Sequence, residues 1–442
     1  MRQLNYKVFI EYNEYQNEYP VDFINKLINK GICRVKKNKI KFTATGILIY
    51  RNILIIVFPK TYSLPKNEKI LEEHIQVLFE VLLKYKRESN CDSEEVDLLG
   101  GENGQNNENL ITAYRLIKDF TQNGLLLKKM RVDSSAQLGN IDWIATINKR
   151  QPMFSGNSII YTDTISRKTT ANRQNTLYIL HKYCVCKSIE KYGWLLGVTL
   201  KNINLDITEL DFDIPYALNI LKNELNSTFA EREINVIKLM REFLSGMEEQ
   251  SREEKLETLA TPYFQNVWEL ICSNNFNNQY DTLKQIIPKL NWELEITSRA
   301  RVRDQRPDII VLRESNMYIF DAKYYNINAS LPGWPDVVKQ LFYALTIFTN
   351  IKSTTFTLSD KDLENKLKSI KNVENIFLFP SGDKEPIKYI GKVNIENNDE
   401  LNDINAYKIN IFLAMKCFIG REKYAFFNQL MEVKKSNSKS IS

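Results

Sequence analysis

Residues 306–325 read RPDIIVLRESNMYIFDAKYY, and this stretch constrains the chain more than any other. Its two apolar runs, DIIVL and MYIFDAK, are rich in β-branched and aromatic residues. They flank the short polar break RESN, the pattern of two strands joined by a turn. With the loop at Arg313–Asn316, Leu312 faces Met317, Ile310 faces Ile319 and Asp308 faces Asp321. Facing partners in an antiparallel pair have Cβ atoms about 4.5–5.5 Å apart. Lys323, two residues past Asp321, shares that face because side chains alternate along a strand.

Three charges therefore converge among apolar residues, where desolvation is costly unless they are paired or bound to a metal. Two carboxylates so close repel, so one takes up a proton or a cation sits between them. A hard divalent ion such as Mg²⁺ suits the site, held by one or two carboxylates and completed by water and phosphate. Lys323 then orients an attacking water or offsets charge developing on a phosphate. The alternative is a structural ion pair in a sheet, and isolated buried pairs seldom add stability.

The flanking segments add candidates. LATPYFQNVWELI (259–271) forms helix readily and places Glu269 within reach of the same ion. LPGWPDVVKQLFYALTIF (331–348) has Pro335 at a favoured first-turn position, with Lys339, Gln340 and Tyr343 on one helical face. Tyr343 serves equally well as core packing. SRARVRDQR (298–306) brings Arg299, Arg301, Arg303 and Arg306 just ahead of the first strand. They suit phosphate contacts beside the cleft, with a solvated loop as the alternative.

The remaining signals exclude as much as they suggest. At 442 residues the chain exceeds one core, and its 43% hydrophobic content is that of an ordinary globular protein. The net charge of +6 is compatible with a polyanionic partner without requiring one. With only His74 and His181, histidine-dependent chemistry is disfavoured. Cys184 and Cys186 near His181 resemble half of a zinc site, but no second pair exists, so buried free thiols are expected. GGENGQ (100–105) lacks the lysine of a phosphate-binding loop and reads as a loop, so any nucleotide hydrolysis falls to a partner. The opening MRQLNYKVFIEYNEY is unlike a signal peptide, and GILIYRNILIIVF is too short and interrupted to span a bilayer. A soluble, cytoplasmic protein without membrane attachment is expected.

Along the chain, residues 1–100 read as a β-rich region. It holds a hairpin turning at Arg51-Asn52 and a helix over NEKILEEHIQVLFEVLLKYK. Residues 101–250 read as a mixed α/β middle region, with helices over ENLITAYRLIKDFTQN and NTLYILHKYCVCKSIEKYG. Polar SGMEEQSREEK (245–255) reads as a connector to an α/β region over 251–442. In GNIDWIAT (139–146), Asp142 has no partner of known spacing and Trp143 reads as packing.

Pro307-Asp308 followed by Asp321-Ala322-Lys323 resembles the PD-(D/E)XK nuclease core. With GNIDWIAT, NTLYILHKYCV, FQNVWELI, IFDAKYY and DVVKQLFYAL, the chain beyond about residue 110 resembles the LlaJI-type restriction endonuclease subunits. Those are related to the McrC nuclease subunit of modification-dependent restriction systems. The resemblance implies an α/β PD-(D/E)XK domain, a mixed sheet flanked by helices, behind β-rich and mixed α+β N-terminal regions. It implies Mg²⁺-dependent cleavage of double-stranded DNA, with Asp308 and Asp321 as metal ligands, Lys323 as catalytic lysine and Glu269 as an ancillary acid. Gln340 matches the glutamine of a Gln-Tyr helix motif. Tyr343 departs from that motif by one residue of spacing. A separate McrB-like AAA+ GTPase is the implied partner, which fits the missing phosphate-binding loop. The alternatives are a free-standing nuclease and a non-cutting subunit that activates a GTPase.

Overall fold

The structure is a computed structural model that describes residues 6–51, 53–101, 109–134, 140–172, 175–203, 205, 210, 213–252, 256–290, 305–397 and 401–441. The chain divides into two compact units, residues 103–255 and a second unit that joins 2–102 to 256–442. The sequence reading placed three successive regions at 1–100, 101–250 and 251–442. Instead the first and third share one unit, and the middle region is an excursion from it. Strand Leu256–Thr261 is the reason: it pairs antiparallel with Thr45–Tyr50 and closes a four-stranded sheet with Ile53–Phe58 and Tyr6–Ile10. This strand overturns the reading of residues 259–261 as the start of a helix, which begins only at Phe264.

The hairpin at Arg51 forms as expected, with Arg51 at φ 52°. Gly46 allows the 256–261 strand to approach: a Cβ there would stand 2.2 Å from the Leu259 carbonyl oxygen. One core gathers Phe9, Phe23, Leu27, Phe42, Tyr50 and Ile55 with Leu256 and Ala260 from the far end of the chain.

The same unit holds a five-stranded mixed sheet in the order Ile309–Arg313, Asn316–Ala322, Asn372–Ser381, Ile404–Asn410, Ile387–Val393. The first two strands form the anticipated antiparallel hairpin, with Ile310 opposite Ile319 and Leu312 opposite Met317. Its turn is tighter than the expected loop. Arg313 pairs with Asn316, leaving Glu314 and Ser315 at the tip, with Glu314 at φ 52°. Asn316–Ala322 then runs parallel to Asn372–Ser381, so the hairpin's second strand lies inside the sheet and is buried.

Each sheet face is covered. Ile310, Met317 and Ile319 pack against Tyr343, Ala344, Ile347 and Ile351 of helix Trp334–Lys352. On the other face Phe320 meets Phe276 with ring centroids 5.0 Å apart, and the Trp268 indole donates to the Leu378 carbonyl.

The unit of residues 103–255 is mainly helical, with Asn109–Asn123, Thr176–Tyr192, Ile214–Ser227 and Glu231–Arg252. A three-stranded sheet and a short hairpin accompany them. Residues 245–252, read as a connector, continue the last helix, because Met, Glu, Gln and Arg all favour helix. His181, Cys184 and Cys186 are buried; the cysteines are free thiols, and His181 Nδ1 accepts from the Leu126 amide. Asp142 caps helix Trp143–Lys149 by accepting from Ala145 N, whereas Trp143, expected to pack, is 55% exposed. Among the described residues no helix is long and apolar enough to cross a membrane.

Candidate functional site

The hairpin delivers its charges to one end of the sheet. Asp308 immediately precedes the first strand, and its Oδ2 accepts from Ala322 N at 3.0 Å, tying it to the residue after Asp321. Asn278 clamps the other side of this junction: its Nδ2 donates to the Asp308 carbonyl and its Oδ1 accepts from Ile310 N. Asp321 is buried on strand Asn316–Ala322. Lys323 extends the ladder by donating its amide to Leu378 O, and its ammonium lies 2.8 Å from Asp321 Oδ2. That contact is an ion pair without hydrogen-bond alignment; the aligned bond runs from Lys323 Nζ to Asp336 Oδ1 at 2.7 Å. Asp336 sits in the first turn of helix Trp334–Lys352, and its other oxygen accepts from the Tyr325 hydroxyl at 3.3 Å.

The electrostatics follow from this crowding. Burial pushes the Asp308 carboxyl up to about 8, with the Asp321 carboxylate and then Glu269 adding to the effect and the Ala322 amide opposing it. Burial and Asp321 also raise Glu269, against the pull of Lys339, Lys323 and Arg306. Burial works against the charge of Lys323, but Asp321 and Asp336 outweigh it and hold the ammonium charged far above physiological pH. Asp336 is held below the ordinary carboxylate range by Lys323 despite its partial burial.

These groups line an open cleft of about 430 Å³, walled by Gln265, Glu269, Asp308, Asp321, Lys323, Tyr325 and Lys339, with Lys60 entering from the N-terminal part of the chain. Among the described residues, no group of three His, Cys, Asp or Glu is arranged to close around a metal. Asp308 and Asp321 are the residues that could face a cation in this cleft, with Glu269 also lining it. A carboxyl raised by burial and by a neighbouring carboxylate, as Asp308 is beside Asp321, is a donor that a hard divalent ion could relieve.

Of the residues singled out from sequence, Asp308, Asp321, Lys323, Glu269 and Lys339 meet in the cleft. Gln340 does not line it. It is buried, and its amide Nε2 donates to the Ile319 carbonyl at 2.8 Å, bracing the strand two residues before Asp321. Tyr343 is core packing. Arg306 is exposed, its guanidinium 5.5 Å from the Tyr280 ring centroid, while Arg299, Arg301 and Arg303 lie outside the described residues. The structure adds Asp336, Asn278 and Lys60. Asp336 had a signal in the sequence, an acid beside the first-turn proline, where a helix N-terminus favours negative charge.

The chain is similar to proteins of known context. It is 28% identical over 464 residues to the Type II restriction enzyme BsuMI component YdjA of Bacillus subtilis (strain 168), covering 98% of this chain and 94% of that protein. Among solved structures, it is similar to a half-complex from the tetradecameric assembly of Thermococcus gammatolerans McrB AAA+ hexamers with bound McrC. The identity is 14% and the TM-score 0.40, with 96% of this chain and 100% of that chain covered. A cryo-EM structure of the Thermococcus gammatolerans McrBC complex matches at 13% identity and a TM-score of 0.25, over 57% of this chain and 89% of that one. Scores this low carry no argument about fold. The model of the LlaJI restriction endonuclease family matches residues 44–414, a span that contains every residue lining the cleft. The chain belongs to the LlaJI restriction endonuclease family and is a restriction-system subunit.

Proposed function

We propose that this subunit is the DNA-cutting component of its restriction system, a Mg²⁺-dependent endonuclease of the PD-(D/E)XK type acting on double-stranded DNA in the cytoplasm. One observation carries the reading: a tight hairpin sets Asp308 against Asp321 at the floor of an open cleft, with the Lys323 ammonium 2.8 Å from Asp321. A purely structural pair needs one acid for Lys323, and Asp336 already supplies a well-aligned one. The second buried acid, Asp308, makes sense as half of a cation site.

Asp308 and Asp321 would hold the ion, with Glu269 beside them. Bound there, Mg²⁺ supplies Lewis-acid activation of a phosphodiester oxygen and of a water. Lys323, kept charged by Asp321 and Asp336, donates toward a non-bridging phosphate oxygen or the incoming water and offsets charge that grows in the transition state. Asn278 and Gln340 brace the two strands and hold the acids at a fixed separation. The mixed sheet with helices on both faces accords with a PD-(D/E)XK domain.

A separate AAA+ GTPase of the McrB type is the partner in this reading. The chain has no phosphate-binding loop of its own, and its Bacillus relative is described as one component of an enzyme. The test is a cleavage assay with the purified full chain, Mg²⁺ and target DNA, alone and with the companion GTPase and GTP. Cutting is expected only with all present. Cutting by the chain alone marks a free-standing nuclease, and no cutting under any condition marks a subunit that only assembles or activates its partner.

A further inference from the structure

Three lysines line the cleft: Lys323, Lys339 and Lys60. Lys323 is held by two acids, and Lys339, on the helix that packs on the sheet, lies 5.5 Å from the Tyr343 ring centroid. Lys60 comes from neither that sheet nor that helix. It lines the cleft and is half-buried, yet among the described residues no carboxylate stands within ion-pair distance of its ammonium. Its ammonium rests 4.3 Å from the Tyr324 ring centroid and 5.5 Å from that of Tyr12.

The loop that carries Lys60 is fixed with unusual care. Its own amide donates to the Tyr324 hydroxyl at 2.9 Å, and that hydroxyl donates to buried Glu11 at 2.6 Å. Thr61 Oγ1 donates to Pro380 O, and Tyr62 Oη bonds His74 Nδ1. Gly382, just past strand Asn372–Ser381, lets the loop press in: a Cβ there would lie 2.7 Å from Ser63 N and from Thr61 O. Thr61 itself sits at φ 74°, a left-handed conformation that is a clear outlier for a β-branched residue. Such strain, on the order of 1–3 kcal/mol, persists only where the surroundings over-determine it, and it clusters at functional sites.

We infer that Lys60, carried by the N-terminal part of the chain and not by the sheet with the acids, is a phosphate-contacting residue of the cleft. It grips the DNA backbone beside the cut. The inference rests on the nuclease reading and deepens it: the cutting site is completed by a segment more than 200 residues upstream of Asp308. A half-buried ammonium poised on aromatic faces, with buried Glu11 acting on it only from beyond ion-pair distance, meets a phosphate with little loss of solvation or freedom.

The test uses the full chain with its companion components. Duplex DNA binding is measured with Ca²⁺ in place of Mg²⁺ across a salt series, for wild type, Lys60→Ala and Lys60→Arg, with cleavage in Mg²⁺ followed in parallel. Because Tyr324 is bonded by the Lys60 backbone, Lys60→Ala leaves that contact in place. Lys60→Ala is expected to weaken binding about tenfold and to make the slope of log affinity against log salt shallower by about one, with Lys60→Arg restoring both. A residue that merely packs on Tyr324 changes melting temperature without moving the salt slope. Unchanged affinity and slope in Lys60→Ala, while wild type cuts and Asp308→Asn does not, overturn the inference and leave the nuclease reading standing. Absence of cutting by wild type overturns both.

Discussion

Asp321→Asn is expected to abolish DNA cleavage, by about a thousandfold or more, while the chain stays folded. The loss is chemical: an amide oxygen carries no charge to hold a divalent cation opposite Asp308, and ~4 kcal/mol of transition-state stabilisation corresponds to a factor of 10³. The fold survives for a geometric reason. Asn matches Asp in size, Lys323 keeps its aligned bond to Asp336, and the repulsion that adds to burial in raising Asp308 disappears. Cleavage assays on the complex, paired with melting curves of the full chain, separate the two effects. An Asp321→Asn chain that cuts at the wild-type rate, or one that unfolds, assigns Asp321 a structural role.

The second large effect is on stability. In EDTA, the melting temperature should fall as pH rises from about 6.5 to 8, and saturating Mg²⁺ at pH 8 should restore it. The sign follows from linkage. Asp308 is pushed up to about 8 in the folded chain, above its unfolded value near 4. The folded state thus binds more protons between those limits, and its stability drops as pH climbs through them. Glu11, raised to about 7 mainly by burial, acts in the same direction. His74 and His181, each lowered by burial to about 4, contribute stability that is present above about 6.5 and lost on acidification, so they are flat across this window. Mg²⁺ distinguishes the acids: an ion held by Asp308 and Asp321 offsets the share of Asp308 and leaves that of Glu11. At a hundredfold excess over its Kd, a ligand specific for the folded state adds about 2.7 kcal/mol. In Asp308→Asn both the Mg²⁺ effect and its part of the slope should vanish.

Much of the cleft was legible because the hairpin is a local structure. Alternation and a short polar break set the register Ile310–Ile319, and that register alone brings Asp308, Asp321 and Lys323 to one face. What escaped depends on distant parts of the chain. Strand Leu256–Thr261 reads LETLAT, with neither clean alternation nor an apolar run, and its pairing with Thr45–Tyr50 is decided 200 residues away. Lys60 follows a strand with nothing in its neighbours to mark it, and only the fold places its ammonium over the Tyr324 ring. Gln340 shows the limit of helical spacing as a guide. Spacing put it on one helical face with Lys339 and Tyr343, yet spacing does not say whether a side chain reaches the cleft or stops at a backbone carbonyl. The polar run 245–252 resembled a linker by composition, while its helix-forming residues simply extended Glu231–Arg252.

The central claim is that Asp308 and Asp321 share one divalent cation. Titrating the full chain with Mn²⁺, read by the ion's paramagnetic resonance, tests it without any need for DNA or a partner. The account predicts a bound ion in wild type that is lost in both Asp308→Asn and Asp321→Asn and weakens as pH falls below the Asp308 titration. Equal Mn²⁺ binding by wild type and the two variants, or none by wild type, would contradict it.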